Sequence, residues 1–148
     1  MPRGRFLQGH MAYRLTQAAH SLSARFVALL RERDLSVAQW RVLASLHDLG
    51  SASVQDLMQH TLYQQATLSK LVQRMQLAGW LVSRVDPADK RVRQIRLTTA
   101  GQQLTTLLVR QARRLEADRL AGLSVQERDQ LSVLVAKLID YRDGPPTA

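Results

Sequence analysis

The chain has 148 residues, 45% of them hydrophobic, which suits one domain with a buried core, and its net charge of +9 favours a polyanionic partner. It contains no cysteine, which excludes disulfides, thiolate metal sites and a thiol redox switch. There is no apolar run of the roughly 18 residues a membrane span needs, and the N-terminus MPRGRFLQGHMAYR lacks an apolar signal core, so no membrane partner and a cytoplasmic location are expected.

Met1 to Arg5 is short and basic and is expected to be mobile. From Leu7 to Arg33 the spacing predicts one long helix. Leu15, Leu22, Phe26, Leu29 and Leu30 recur at helical intervals, with Met11, Ala18 and Ala19 filling in. Some 25 helical residues span about 37 Å. That apolar face exceeds what a small core needs, so part of it is expected to meet a second subunit; the alternative is that it covers only its own domain. Ser36 and Gln39 form a Ser-x-x-Gln capping box that opens a helix over Val37 to Leu49. Trp40, Val42, Leu43 and Leu46 are its apolar positions, and Gly50 ends it. Ser51-Ala52-Ser53 suits a one- or two-residue strand. Ser53 caps a helix over Val54 to His60, with Asp56 near its positive end.

The next helix starts near Gln64 or Gln65 and stops before Gly79. Leu68, Leu71, Val72 and Met75 form its apolar stripe. Off that stripe lie Gln65, Thr67, Ser69, Lys70, Gln73 and Arg74, none acidic and all able to hydrogen-bond bases or phosphates. A surface helix that merely lacks acids is the plain alternative. Trp80, Leu81 and Val82 begin a strand, Asp86-Pro87-Ala88-Asp89 is a turn, and Val92, Ile95 and Leu97 mark a returning strand. The step from Val92 to Ile95 breaks alternation and predicts irregular pairing near the tip. Lys90, Arg91, Arg93 and Arg96 fall within seven positions. A basic hairpin alone is commonly a solvated loop. Directly after a candidate reading helix it favours a phosphate or minor-groove contact. Between Thr61 and Ala100 there are seven basic and two acidic side chains, so more than half of the excess charge sits in this segment.

Thr98 and Thr99 can cap a long helix from Ala100 to Leu120. Leu104, Leu107, Leu108, Gln111 and Leu115 mark one face, Arg110, Arg113, Arg114 and Arg119 another, and Gly122 follows its end. Ser124 and Glu127 form a second capping box. It opens a last helix, Val125 to Tyr141, with Leu131, Leu134, Leu138 and Tyr141 on one stripe. Gly144-Pro145-Pro146 reads as a disordered end. The expected fold is mainly α (α+β), one domain over 1–148. A winged helix-turn-helix core over 36–97 is flanked by helical dimerisation regions over 7–33 and 100–141.

The segments ATLSKLVQRMQLAGWLVSR and DPADKRVRQIRLTTAG resemble the multiple antibiotic resistance regulator (MarR) family of bacterial transcription factors. Asp89, Arg91, Leu97, Thr98 and Gly101 fit its pattern Asp-x-Arg, five residues, Leu-Thr, two residues, Gly. Where many members carry Ser, Thr or Asp at the N-cap of the reading helix, this chain has Tyr63 or Gln64. The resemblance covers roughly the whole chain. It implies a homodimer through the first and last two helices. Such a dimer presents two reading helices to successive major grooves about 34 Å apart, on a roughly palindromic operator. It implies Arg91 in the minor groove. It also implies small, often anionic aromatic effectors held between dimer helices and winged core, whose binding releases DNA.

The expected function is therefore a sequence-specific, double-stranded-DNA-binding transcriptional repressor, a homodimer released by a small-molecule effector. Gln64, Gln65 and Thr67 are the expected base contacts. Ser69, Lys70, Gln73 and Arg74 reach bases or phosphates, and Lys90 and Arg93 phosphates. Asp89 could pair with Arg91 and hold it, or simply form the turn. Candidate effector residues are His10, Tyr13, Arg14, Trp40 and Arg41, with ordinary packing as the alternative. No enzyme, cofactor or metal is expected. His10, His20, His47 and His60 are scattered, with no HExxH and no glycine-rich phosphate loop. Two rivals share this surface: a sequence-nonspecific DNA-architectural protein, and a winged module that binds protein.

Overall fold

Gly9 divides the N-terminal helical run. The computed structural model, which describes residues 6–140, has α1 at Phe6–Gly9 and α2 at Met11–Glu32, with His10 extended between them at φ −77°, ψ 114°. The single helix expected from Leu7 to Arg33 is thus two. Glycine costs about 1 kcal/mol in a helix relative to alanine, and no acidic side chain supports the first turn of α2. The expectations for Met1 to Arg5, for Tyr141 and for Gly144-Pro145-Pro146 lie outside the described residues.

Side-chain caps set most of the later helix starts. α3, Val37–Leu49, opens on the full capping box: Ser36 Oγ accepts from the Gln39 N–H at 3.1 Å, and Gln39 Oε1 accepts from the Ser36 N–H at 2.8 Å. α4, Val54–Thr61, opens on the same device built from Ser53 and Asp56. The Ser53 N–H holds the Asp56 carboxyl below the usual carboxylate range. α5, Gln65–Leu77, starts one residue after Gln64, which supplies no side-chain cap. It ends in a Schellman motif, with Gly79 at φ +79°: the Gly79 N–H donates to Gln76 and the Trp80 N–H to Met75.

The wing strands are β1, Leu81–Val85, and β2, Arg93–Leu97. Pairing is antiparallel and unbroken from Leu81↔Leu97 to Val85↔Arg93, so the expected irregularity near the tip does not occur. Val92 lies beyond the ladder, in the tip, and alternation holds from Arg93 onward. Trp80 is not part of β1, because its N–H closes the end of α5. Ala52 adds an isolated bridge to Ile95, with hydrogen bonds of 3.0 and 2.8 Å. The short strand expected at Ser51 to Ser53 is that bridge.

α6, Thr99–Arg119, and α7, Val125–Asp140, complete the chain. Ser124 and Glu127 cap α7 reciprocally, and the Ser124 N–H lowers the Glu127 pKa. The core gathers Phe26 and Leu30 of α2, Val42, Leu43 and Leu46 of α3, and Leu57 of α4. Leu68, Val72 and Met75 of α5, Leu81 and Ile95 of the wing, and Leu108 of α6 join them. Burying each such leucine contributes about 1.5–3 kcal/mol. α7 buries no residue against its own chain, and Leu131, Val133, Leu134, Leu138 and Ile139 are exposed along it. Phe6, Leu7 and Met11 are exposed at the other end of the sequence. Among the described residues no helix is long and apolar enough to cross a membrane.

Candidate nucleic-acid interface

The packing of α5 decides which of its side chains face outward. Leu68, Val72 and Met75 are buried, and Leu71 is half-buried against the same core. With that stripe inward, Gln64, Gln65, Thr67, Ser69, Lys70, Gln73 and Arg74 are all exposed. α4 packs against α5, and α5 against α3 and β1, so the helix is held on three sides. Its outer face offers amide, hydroxyl, ammonium and guanidinium groups and no carboxylate. Such a face can donate to phosphates and pair with base edges.

The turn into α5 has its own geometry. Leu62 ends α4 in the left-handed conformation at φ +60° and is 84% exposed. Thr61 is buried beneath it, its hydroxyl donating to the Leu57 carbonyl at 2.6 Å and accepting from the Tyr63 N–H at 3.4 Å. Tyr63 packs on the core, and the Arg41 guanidinium lies 5.6 Å from the centre of its ring. A buried threonine and a cation over an aromatic face thus hold an entrance that Gln64 does not cap.

The wing tip is built by carboxylates accepting backbone N–H groups. Asp86 Oδ1 accepts from the Ala88 N–H at 2.8 Å, and its Oδ2 from Gln94 Nε2 at 3.0 Å. The Ala88 bond, then the Gln94 bond, lowers the Asp86 pKa. Asp89 Oδ1 accepts from the backbone N–H of Arg91 at 2.9 Å, and the Asp89 carbonyl from the Val92 N–H at 2.9 Å. Asp89 therefore orients the Arg91 backbone. Lys90, Arg91 and Arg93 are exposed, and Arg93 Nε donates to Ser83 Oγ at 3.1 Å across the two strands. Register places Val82, Arg84, Gln94 and Arg96 together on the face opposite Leu81 and Ile95. Exposed Arg84 adds a cation that the sequence reading passed over, and its adjacency to Gln94 depends on the pairing register.

The wing is tied to the long helix at a close approach. Thr98 Oγ1 donates to the Gly79 carbonyl at 2.6 Å and accepts from the Gly101 N–H at 3.1 Å. The Trp80 carbonyl, which accepts from the Thr98 N–H at 2.9 Å, sits directly over Gly101. A Cβ on Gly101 would lie 3.0 Å from the Trp80 carbonyl carbon and closer still to its oxygen.

Of the five candidate effector residues, Trp40 alone lines the cavity between α2, α3 and α6. That cavity has a volume of about 350 Å³ and is walled by Leu22, Phe26, Trp40, Ala44, Val109 and Ala112, with Ser23, His47, Asp48, Arg113 and Glu116 as its polar members. Phe26 and Trp40 meet edge to face with centroids 4.9 Å apart. Arg41 is engaged with Tyr63 instead. His10, between α1 and α2, stacks on Phe6, and the Tyr13 hydroxyl of α2 accepts from Gln17 Nε2 at 3.1 Å, both in the exposed N-terminal segment. His47 and Arg113 belong to the cavity but stand 66 positions apart in sequence, and only the packing of α3 on α6 unites them. A larger recess of about 610 Å³, running from Leu97 to Arg110 along α6, has threonine and glutamine walls and no aromatic side chain. Among the described residues no cluster of His, Asp and Glu could hold a metal ion.

Residues 33–92 match the model of the MarR family. The chain is 30% identical to the MarR family transcriptional regulator SPO1453 of Silicibacter pomeroyi, whose crystal structure it matches with a TM-score of 0.82 over 93% of this chain and 98% of that one. It is similar, at 28% identity and a TM-score of 0.78 over 90% and 95% of the two chains, to Bordetella bronchiseptica BpsR, a protein whose DNA binding is regulated by 6-hydroxynicotinic acid. It is also 32% identical over 104 residues to the HTH-type transcriptional repressor IacR of Pseudomonas putida. That match takes in 70% of this chain and 62% of the relative, so it spans less than two thirds of that relative's length.

Proposed function

The chain belongs to the MarR family of DNA-binding transcriptional regulators, and on that premise we propose that it is a homodimeric repressor that reads a pseudo-palindromic operator and releases it when a small aromatic effector binds. The observation that carries this reading is the outer face of α5. Its exposed polar side chains are all amide, hydroxyl or cationic, and it adjoins a wing with three exposed cations, Lys90, Arg91 and Arg93.

In this reading α5 enters the major groove. Gln64, Gln65 and Thr67, at its N-terminal end, contact bases, while Ser69, Lys70, Gln73 and Arg74 contact bases or phosphates. Arg91 reaches into the minor groove, its backbone fixed by Asp89, and Lys90 and Arg93 bind phosphates. The exposed apolar faces of α7 and of α1–α2 supply the dimer interface, and an apolar surface of that extent favours a protein partner. Because α2 and α6 both wall the 350 Å³ cavity and lead to those faces, a ligand there would change the spacing of the two reading helices. The dimer contact would also bring His10, Tyr13 and Arg14 of one protomer toward the other. The protein acts in the cytoplasm, without a cofactor and without catalysing a reaction.

The test is fluorescence anisotropy on the DNA upstream of its own gene against a scrambled duplex, at about 50 and 200 mM salt. A preference for the upstream DNA that survives the higher salt is expected of an autoregulating repressor. Equal binding that collapses with salt on every sequence tried would fit a sequence-nonspecific architectural protein instead.

A further inference from the structure

We infer that Leu62 reads a base, its side chain seated against the C5-methyl group of a thymine in each operator half-site. The role rests on reading α5 as the helix that enters the major groove. Leu62 lies two residues before the N-cap Gln64, at the end of α5 where helix-turn-helix proteins contact base edges. It is 84% exposed, although a leucine gains by leaving water. Its backbone is also left-handed at φ +60°, a region that suits glycine and disfavours a bulky side chain. One residue thus combines two unfavourable features, and strained backbone clusters where proteins hold their ligands.

Its neighbours hold Leu62 in that position. The Leu62 N–H donates to the Met58 carbonyl at 3.1 Å. Thr61 before it is buried, and Tyr63 after it packs on the core with the Arg41 guanidinium over its ring. With both flanking residues anchored inward, the Leu62 side chain is kept on the outer surface, beside exposed Gln64 and Gln65. Those amides can pair with the donors and acceptors of base edges. The feature of thymine they do not read is its C5 methyl, which an apolar side chain recognises by contact. Leu62 is the large exposed apolar side chain at this end of α5. Leu77, equally exposed, stands at the other end, about 18 Å along the axis from Gln65, and serves as the comparison.

The experiment takes the duplex that the full-length protein selects from random DNA and replaces each thymine in turn by uracil, which removes the C5 methyl alone. Affinity is measured by anisotropy for the parent, Leu62→Gly and Leu77→Ala. Uracil at one thymine of a half-site should weaken the parent about fourfold, and at its counterparts in both half-sites about fifteenfold. Leu62→Gly, whose glycine suits the left-handed backbone, should bind the thymine duplex more weakly and be indifferent to uracil at that position. Leu62→Asn, which also tolerates that backbone, takes its place if the glycine variant does not fold. Leu77→Ala should keep the parent's full response to uracil. A selected half-site without thymine, or a parent insensitive to uracil at every thymine, overturns the role of Leu62 while leaving α5 the reading helix. So does a Leu62→Gly variant as sensitive as the parent, or loss of the response in Leu77→Ala as well. If no sequence is selected from the pool, the base-reading role of α5 falls, and that of Leu62 with it.

Discussion

Replacing Gly101 with alanine adds one methyl group where two backbone segments meet. Its Cβ would come within 3.0 Å of the Trp80 carbonyl carbon and nearer to the oxygen, and neither atom can turn aside like the end of a side chain. Either the start of α6 or the end of the α5 turn must move. The Trp80 carbonyl accepts from the Thr98 N–H, and the Gly101 N–H donates to Thr98 Oγ1, so movement strains both bonds. Overpacking a tight site costs about 1–3 kcal/mol. Loss of a threonine N-cap costs about 0.5–2 kcal/mol. Against these, alanine gains up to about 1 kcal/mol over glycine in a helix. The net expectation is a loss of about 1–4 kcal/mol, read as a lower urea midpoint at fixed protein concentration. Gly122→Ala is the control, since nothing lies within 4 Å of its added Cβ. Gly101→Ala as stable as the parent would show that the Trp80 carbonyl leaves room for a Cβ at this position.

Arg91→Ala should weaken operator binding by about 1–3 kcal/mol and leave the oligomeric state unchanged; unaltered affinity in an anisotropy titration would remove Arg91 from the interface. Leu134→Asp, at a position 58% exposed on α7, should yield a monomer by analytical ultracentrifugation if that face is the dimer contact; an intact dimer would place the contact elsewhere. Asp56, Asp86 and Glu127 all have lowered pKa values, held down by backbone N–H groups of Ser53, Ala88 and Ser124. Their folded values lie below the unfolded ones. The stability they contribute is therefore complete above the ordinary carboxylate range, about pH 4, and is lost as pH falls through the folded values. Urea midpoints should drop below about pH 4, and a midpoint level from pH 7 to pH 3 would show that these bonds contribute nothing.

The elements most legible in the sequence were those written in local chemistry. Ser36 with Gln39 and Ser124 with Glu127 announced capping boxes that the structure forms, and Gly79 marked the end of α5 through its positive φ. The α5 stripe of Leu68, Leu71, Val72 and Met75 fixed which side chains face outward, because helical periodicity needs no knowledge of the neighbours. The break at His10 was less legible, since the apolar spacing runs on across Gly9. Gly101 stood in the sequence pattern without a reason; the reason is the Trp80 carbonyl, 21 positions earlier in the chain. The cavity was almost invisible. His47 sits in the last turn of α3 and Arg113 on α6, and neither position carries a sequence sign that the two share a wall. Trp40 was legible as a large aromatic on an apolar stripe. Arg41, the candidate next to it, faces Tyr63 instead, because adjacent helical positions point about 100° apart.

In the proposed dimer two copies of α5 read base sequence in successive major grooves. The most direct test is selection of binding sites by the full-length protein from a pool of random duplex DNA. Two inverted half-sites with centres about 10–10.5 base pairs apart, or a multiple of that spacing, are expected. An enriched pool without a shared sequence, or with a single unrepeated half-site, would contradict that arrangement.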